Sequence, residues 1–428
     1  MKKASDFSMI SLGCARTLVD TEGMIDRLQQ VGFELKPRGS HESITILNTC
    51  SFIQAAIEET ESHIQELSER KRKGLLNYLV VVGCYPSRFK KDLLKEKFPE
   101  VDLFLTTKEE HTLQTALSQL VFHQKFQTLK PYTKLTPSHF SYLKISEGCD
   151  NWCTFCTIPK IRGKHTSKPL ALVIEEAKKQ LSFGAQELIL IAEDTTAWGE
   201  DLYGKPSLPI LLKELSKLPV KWIRLMYIFP SRVDDDLIDT IANTPNITGY
   251  LDMPIQHVST HLLQGMNRRH DDQFLHEILN KMRKKIPHFT FRTTLIVGFP
   301  SETDDDVKAV LKFLHEQPVD ELGCFAYSEE KETRSFKYPN KVDPELIQKR
   351  LDLIMTTQYQ LIQKRRQAEI GQHYEAVYEG NGLFRSIKQA PDVDSKLIVD
   401  PTPPLAIGQW ATLQITGLNG YDLTARLL

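Results

Sequence analysis

The sequence predicts an α/β chain in three parts: an N-terminal doubly wound parallel sheet, a central partial (β/α)6 barrel and a small C-terminal antiparallel β-barrel. Three observations carry this. Short β-branched runs followed by helix-length stretches repeat three times before residue 100. From Phe140 the same alternation resumes and supplies six strand–helix units. After Gly371 it gives way to short alternating strands broken by Gly and Pro turns. The expected boundaries are a first domain over 1–125, a linker over 126–138, the central barrel over 139–342, a helical connector over 343–370 and the small barrel over 371–428.

Composition bounds the function. The chain has 428 residues, 41% of them hydrophobic and 25% charged, which is ordinary for a folded protein with sizeable cores. Its formal net charge of -1 excludes bulk attraction to polyanions. The start, Met1 to Ser8, lacks the apolar core of a signal peptide, and no apolar run reaches membrane-spanning length. Seven cysteines without an export signal point to ligands or free thiols in a reducing, cytoplasmic setting, with no membrane partner.

In the first domain, strands are expected over 7–12, 44–47 and 78–82, and helices over about 19–31, 52–70 and 88–97. One more short strand falls within 98–112. Cys14, Cys50 and Cys84 each follow the carboxyl end of a strand. In a parallel sheet those ends share one edge, where ligands bind. A single such cysteine is ordinarily a small buried hydrophobe. Three at equivalent positions of successive units point to a shared ligand role, and three thiolates leave one corner of a four-iron cluster open.

The stretch 129–138 carries two prolines and weak periodicity and reads as linker. Beyond it, strands are expected near 140–147, 187–193, 222–228, 250–256, 290–298 and 321–327. Helices are expected near 170–183, 207–217, 233–243, 271–285 and 302–316. The loop after the first of these strands holds Cys149, Cys153 and Cys156 at spacing C-x3-C-x2-C. A four-iron cluster prefers a cysteine on each iron, so three thiolates this close describe a cluster with one open iron, where a ligand can react. The plainer alternatives are a zinc knuckle or incidental thiols. Structural zinc sites usually close with a second paired unit, and none follows here.

A barrel places its chemistry at the carboxyl ends of its strands. By that rule Glu193 and Asp194, Tyr227 to Pro230 with Arg224 inside the strand, Asp252 to His257, and Val297 and Gly298 are candidates. Each also has a bland reading as a cap, turn or paired charge. Cys324, alone in an apolar run, reads as core. The basic run 281–285 reads as the solvated face of a helix.

These motifs resemble one family. The C-x3-C-x2-C loop on a βα barrel is similar to radical S-adenosylmethionine enzymes. Three further cysteines at strand ends in a preceding domain resemble the methylthiotransferase branch. The resembling stretches are Ser11-Leu12-Gly13-Cys14, Leu47 to Cys50, Val82-Gly83-Cys84, Glu147 to Cys156, Ile158 to Gly163 and Thr294 to Pro300. Within that branch some members modify an adenosine of tRNA and others an aspartate of small-subunit ribosomal protein twelve. Asp150-Asn151, Asp194-Thr195-Thr196 and Arg224 to Tyr227 are similar to the ribosomal-protein type. The chain departs from the pattern at Trp152, commonly arginine, at Ala15-Arg16-Thr17, commonly a Lys-Asn pairing, and at Glu193, frequently glutamine.

The resemblance implies two [4Fe-4S] clusters and S-adenosylmethionine. One cluster, on Cys149, Cys153 and Cys156, would cleave S-adenosylmethionine to a radical that abstracts hydrogen from an unactivated carbon. The other, on Cys14, Cys50 and Cys84, would hold the sulfur for delivery. It further implies Phe155 beside adenine, Glu193 and Asp194 at the methionine amino group, Arg224 among the cofactor contacts, and Val297 and Gly298 as backbone contacts. No catalytic side chain beyond the cluster ligands is implied. The implied partners are a ribosomal protein, an external electron donor and a sulfur source, with nucleic acid met only through the ribosome. The alternatives are a tRNA adenosine methylthiotransferase and a non-enzymatic iron–sulfur electron-transfer or sensor protein.

The tail fits the same resemblance. Strands are expected over 373–378, 383–387, 396–399 and 410–416, and the family implies a TRAM domain that engages substrate. Residues 371–428 hold four basic and six acidic side chains. A mildly acidic module suits a basic protein partner better than RNA.

Overall fold

The computed structural model describes residues 6–39, 43–121 and 132–428. Residues 1–5, on which the expectation about the chain start partly rests, lie outside the described residues, as do residues 126–131 of the expected linker. The chain divides into two units. Residues up to Leu135, with Glu147–Asp150 and Cys156–Lys164, form the first; Thr136–Ser146, Asn151–Phe155 and His165–Leu428 form the second.

The first unit is a five-stranded parallel sheet. Its spatial order is Glu34–Leu35, Asp6–Ser11, Ile44–Thr49, Tyr78–Gly83, Leu103–Thr106. Side chains alternate across the pleat, so successive residues feed opposite layers. Ile44, Ile46, Val80 and Val82 pack with Met24, Ile25 and Leu28 of helix Ala15–Gln30 and with Leu113 and Leu117 of helix Leu113–Leu120. Leu47, Leu79 and Val81 face Ile57, Ile64 and Leu67 of helix Gln54–Arg72. Helices on both faces make the sheet doubly wound, as expected. The order reverses between strands Asp6–Ser11 and Ile44–Thr49, and such a switch point opens a ligand crevice at the carboxyl ends. Cys14 and Cys50 follow those two strands.

In the second unit six parallel strands lie side by side in chain order: Phe140–Lys144, Glu187–Ile191, Trp222–Leu225, Ile247–Asp252, Thr290–Val297 and Glu321–Ala326. The fourth begins three residues earlier than expected. The first and last strands are edges, so the barrel is partial. Its core joins Leu188, Leu190, Ile223, Leu225, Leu251, Phe291 and Leu295 to the helices outside. Each such fully buried side chain contributes about 1.5–3 kcal/mol. Helix Asp304–Glu316 starts with a reciprocal cap between Thr303 and Asp306.

Helix Pro344–Gln367 leads to a closed five-stranded barrel. Its fifth strand, Asp422–Leu427, is absent from the sequence expectation. Four of its pairings are antiparallel, but Leu397–Val399 closes against Asp422–Leu427 in parallel. The expected antiparallel barrel is corrected to that extent: the chain returns after Val399 as the opposite-running strand Trp410–Asn419, and the tight turn after Asn419 restores the direction of Leu397–Val399. This small barrel covers the amino-terminal mouth of the large one. Trp410 meets Trp222 edge to face at 4.5 Å, and His139, just before the first strand, lies 3.2 Å from Glu379.

Candidate cluster sites at the strand ends

The three thiols of the first unit converge. Gly13 lies so close to Cys50 that a Cβ there would sit 2.9 Å from the Cys50 Cβ and 3.3 Å from its Sγ. Thr49 Oγ1 donates to the Val82 carbonyl at 2.6 Å and accepts from the Tyr85 amide at 3.1 Å, which fixes the Cys50 and Cys84 strand ends against each other. Cys14 caps helix Ala15–Gln30 and Cys84 opens helix Cys84–Arg88, so two thiols stand at helix N-termini, where thiolates are favoured. Burial would raise the Cys14 thiol, but the Arg16 guanidinium and the Thr17 amide outweigh it and hold it at about 7. Burial pushes Cys84 up to about 12 against the pull of Arg162.

All seven cysteines are free thiols. Among the described residues no group of three His, Cys, Asp or Glu could hold a single metal ion. A cluster differs in spreading its cysteines around separate irons, and the donor set here, thiols alone, is that of an iron–sulfur site.

The loop after strand Phe140–Lys144 is held by its own backbone. The Cys149 amide donates to the Gly163 carbonyl at 3.1 Å, and Gly148 approaches Lys164 so closely that a Cβ would lie 2.2 Å from its carbonyl oxygen. Gly148 also has φ +74, so only glycine suits the position. Cys156 Sγ accepts from the Ile158 amide at 3.4 Å. In the second unit, Cys153 Sγ accepts from Arg268 at 3.5 Å; that guanidinium also donates to the Pro254 carbonyl and lies 3.9 Å from the centre of the Phe229 ring. Trp152 takes φ +52 with its carbonyl held by Asn267 and Arg334, and its side chain is 50% exposed.

The other candidates divide. Phe155 and Ile296 pack against the buried cluster of Leu262, Met266 and Phe299, an apolar patch at the carboxyl ends. Glu193 stands half-buried two residues past strand Glu187–Ile191. Asp194 has different partners from those expected. One oxygen takes Thr196 Oγ1 and the Ala197 amide; the other takes Asn151 Nδ2 at 2.7 Å and faces Arg232 at 3.2 Å. Through these bonds it ties the cysteine loop to the barrel.

Arg224 is held inside the fold. Its side chain is wholly buried, donates to Glu187 Oε1 at 2.6 Å and to the Ile387 carbonyl at 2.9 Å, and so reaches back to the amino-terminal edge. Val297 gives its carbonyl to the Tyr327 amide, and the Gly298 amide donates to Glu302 at 2.9 Å. Gly298 has no side chain because Ile347 lies 2.4 Å from where a Cβ would be. Burial holds His257 down at about 4, a neutral ring that accepts from the Ser259 amide. Cys324 packs against the main core, as expected. Lys281 and Lys285 pair with Asp235 and Asp239 on a solvated helix face.

A cavity of about 460 Å³ opens beside Asn151, lined among others by Phe229, Arg232, Asp234, Lys205 and Arg269. The charge tally of the small barrel reads differently in three dimensions. Arg385 is wholly buried between Glu187 and Glu379, Asp394 pairs with Arg292, and Asp392 accepts from Tyr142. Much of that charge therefore faces the large barrel and cannot select a partner.

Residues 143–314 match the Radical SAM superfamily, residues 370–428 the TRAM domain, and residues 6–106 a family described as Uncharacterized protein family UPF0004. The fold and the cysteine loop thus define a radical SAM protein with a cysteine-bearing N-terminal domain and a TRAM domain. Among known proteins, the ribosomal protein uS12 methylthiotransferase RimO of Citrifermentans bemidjiense is 38% identical over 100% of this chain and 99% of its own. The proteins of that name from Geobacter sulfurreducens and Clostridioides difficile are 37% and 38% identical, each aligned over 98% of both chains. The chain belongs to the ribosomal protein uS12 methylthiotransferase family. The fold is shared with the radical S-adenosylmethionine methyltransferase TsrM of Kitasatospora setae, at TM-score 0.58 and 13% identity over 95% of this chain and 84% of that one.

Proposed function

We propose that this chain adds a methylthio group to the β-carbon of an aspartate in the small-subunit ribosomal protein uS12, in the cytoplasm. The observation that carries the reading is the union of two three-cysteine sets with full-length similarity to proteins of that named activity. Cys149, Cys153 and Cys156 would hold one [4Fe-4S] cluster, and Cys14, Cys50 and Cys84 the other. Bound S-adenosylmethionine supplies a carbon radical that no acid–base side chain can supply, and the second cluster supplies the sulfur. The chain's own residues do the placing. Asp194 and Asn151 hold the cysteine loop, and Arg268 donates to Cys153. Phe155, backed by the buried Phe299, would offer an apolar wall for adenine, and Glu193, half-buried two residues past its strand, would face the methionine amino group. An external electron donor and a sulfur source complete the reaction.

The test gives reconstituted protein, reductant and S-adenosylmethionine either uS12 or tRNA. Mass gain on uS12 is expected. Gain on tRNA and none on uS12 would replace this reading with tRNA adenosine modification. No reductive cleavage of S-adenosylmethionine would leave an electron-transfer or sensor protein.

A further inference from the structure

Arg162 is nearly buried, its side chain 3% exposed, in the segment that carries Cys156. It follows the helical turn Ile158–Ile161, to which its amide is tied through the Ile158 carbonyl at 2.8 Å. Its guanidinium donates to Glu147 at 2.5 Å and to Asp20 at 3.2 Å. It also hydrogen-bonds the Cys84 sulfur, and its charge reaches Cys14 and Cys50. Arg16 hydrogen-bonds Cys14 from the other side. Two guanidiniums thus face three thiols.

We infer that Arg162 is a positioning residue for the cluster of the first unit: it anchors the segment bearing Cys149 and Cys156 onto the Cys14, Cys50 and Cys84 set and supplies the counter-charge for it. The inference rests on the two-cluster reading. Three thiolates on a four-iron cube leave it net negative, and reduction adds a further negative charge. A fixed cation against the sulfurs favours the reduced state. The competing role for Arg162 is mechanical only, a tie from the loop to Asp20 on helix Ala15–Gln30.

The experiment uses the full chain with Cys149, Cys153 and Cys156 replaced by alanine, so that only the first-unit cluster assembles. Iron content and the midpoint potential by spectroscopically monitored reduction are the readouts, neither of which is turnover. The parent should bind about four irons. Arg162→Gln should disfavour reduction about tenfold, a fall of about 59 mV for one electron. Arg162→Lys should return most of that shift. Asp20→Asn cuts the mechanical tie but removes an anion, so its midpoint should stay or rise.

An Arg162→Gln midpoint equal to the parent's, or an Asp20→Asn midpoint that falls with it, overturns the inference. If Arg162→Gln holds no iron, Arg162→Lys decides: about four irons supports the role, and none overturns it. A parent without iron would sink the two-cluster reading and the inference together.

Discussion

Arg385→Met tests how the small barrel is joined to the large one. Arg385 is fully buried and bridges Glu187 Oε2 at 2.6 Å and Glu379 Oε1 at 2.9 Å. Removing one partner of a buried ion pair costs roughly 3–5 kcal/mol, because the remaining charge is left desolvated. Two features place this case near the lower end. Glu187 keeps Arg224, and Glu379 is 14% exposed with His139 beside it. About 3 kcal/mol is therefore expected. Glu187→Gln should cost more, since it removes the anion between Arg224 and Arg385 and leaves Arg385 only Glu379. The double variant should cost less than the sum of the two.

Fluorescence-monitored urea unfolding reads this selectively. All four tryptophans, Trp152, Trp198, Trp222 and Trp410, lie in the second unit, and two of them meet at the junction itself. With a slope on the order of 3 kcal/mol/M, the midpoint should fall by about 1 M.

The pH dependence gives a second reading. Burial would raise Glu379, but the His139 ring and the Arg385 guanidinium hold it at about 2. A carboxyl lowered on folding adds stability that is present above its unfolded value near 4.3 and is lost as pH falls through its folded value. The loss between about pH 4 and pH 2 should be shallower in Arg385→Met. A midpoint within about 0.2 M of the parent's would refute the argument, showing that Arg224 alone satisfies Glu187 and that the junction is held by apolar contact.

Two further outcomes separate the cysteine sets. Cys153→Ala should abolish S-adenosylmethionine cleavage. Cys50→Ala should retain cleavage and lose methylthio transfer, with iron falling from about eight to about four in each case; full transfer by Cys50→Ala would remove the second cluster from the mechanism. Gly148→Ala should cost about 1–2 kcal/mol for its left-handed backbone alone, before the close approach to the Lys164 carbonyl is counted. Iron and cleavage should fall together, and normal iron content would show that the loop tolerates a shift there.

The cysteine positions were legible because a parallel sheet converts sequence position into place: each cysteine follows a strand, and all strand ends share an edge. The cations that face the sulfurs were not legible. Arg162, Arg16 and Arg268 come from turns and helix ends whose direction no periodicity encodes. The course of the Arg224 side chain was not legible either: its strand was identified but not the direction of a long side chain, which runs back to Glu187. Asp194 was placed correctly at a strand end, yet its hydrogen-bond partners decide its role, and those come from Asn151, Thr196, Ala197 and Arg232. Strand Asp422–Leu427 pairs in two directions at once, which a search for hairpins does not find.

The small barrel's placement limits how it can engage a substrate. It sits on the amino-terminal mouth, against Gln186, Lys221 and Trp222, whereas Phe155, Phe299 and Glu193 gather at the carboxyl ends. Strands of five to eight residues separate the two ends by about 15–25 Å. A short peptide at the carboxyl ends cannot span that distance around the barrel wall, while a folded ribosomal protein or an assembled subunit can. Arg426→Glu, on the exposed face of the small barrel with its side chain donating to Gln414, should then raise KM for whole uS12 or the small subunit several-fold. For a peptide containing the target aspartate, KM and kcat should stay at the parent's values. Equal loss on peptide and protein would mean that the small barrel acts on the reacting end after all, through the barrel it plugs rather than through contact.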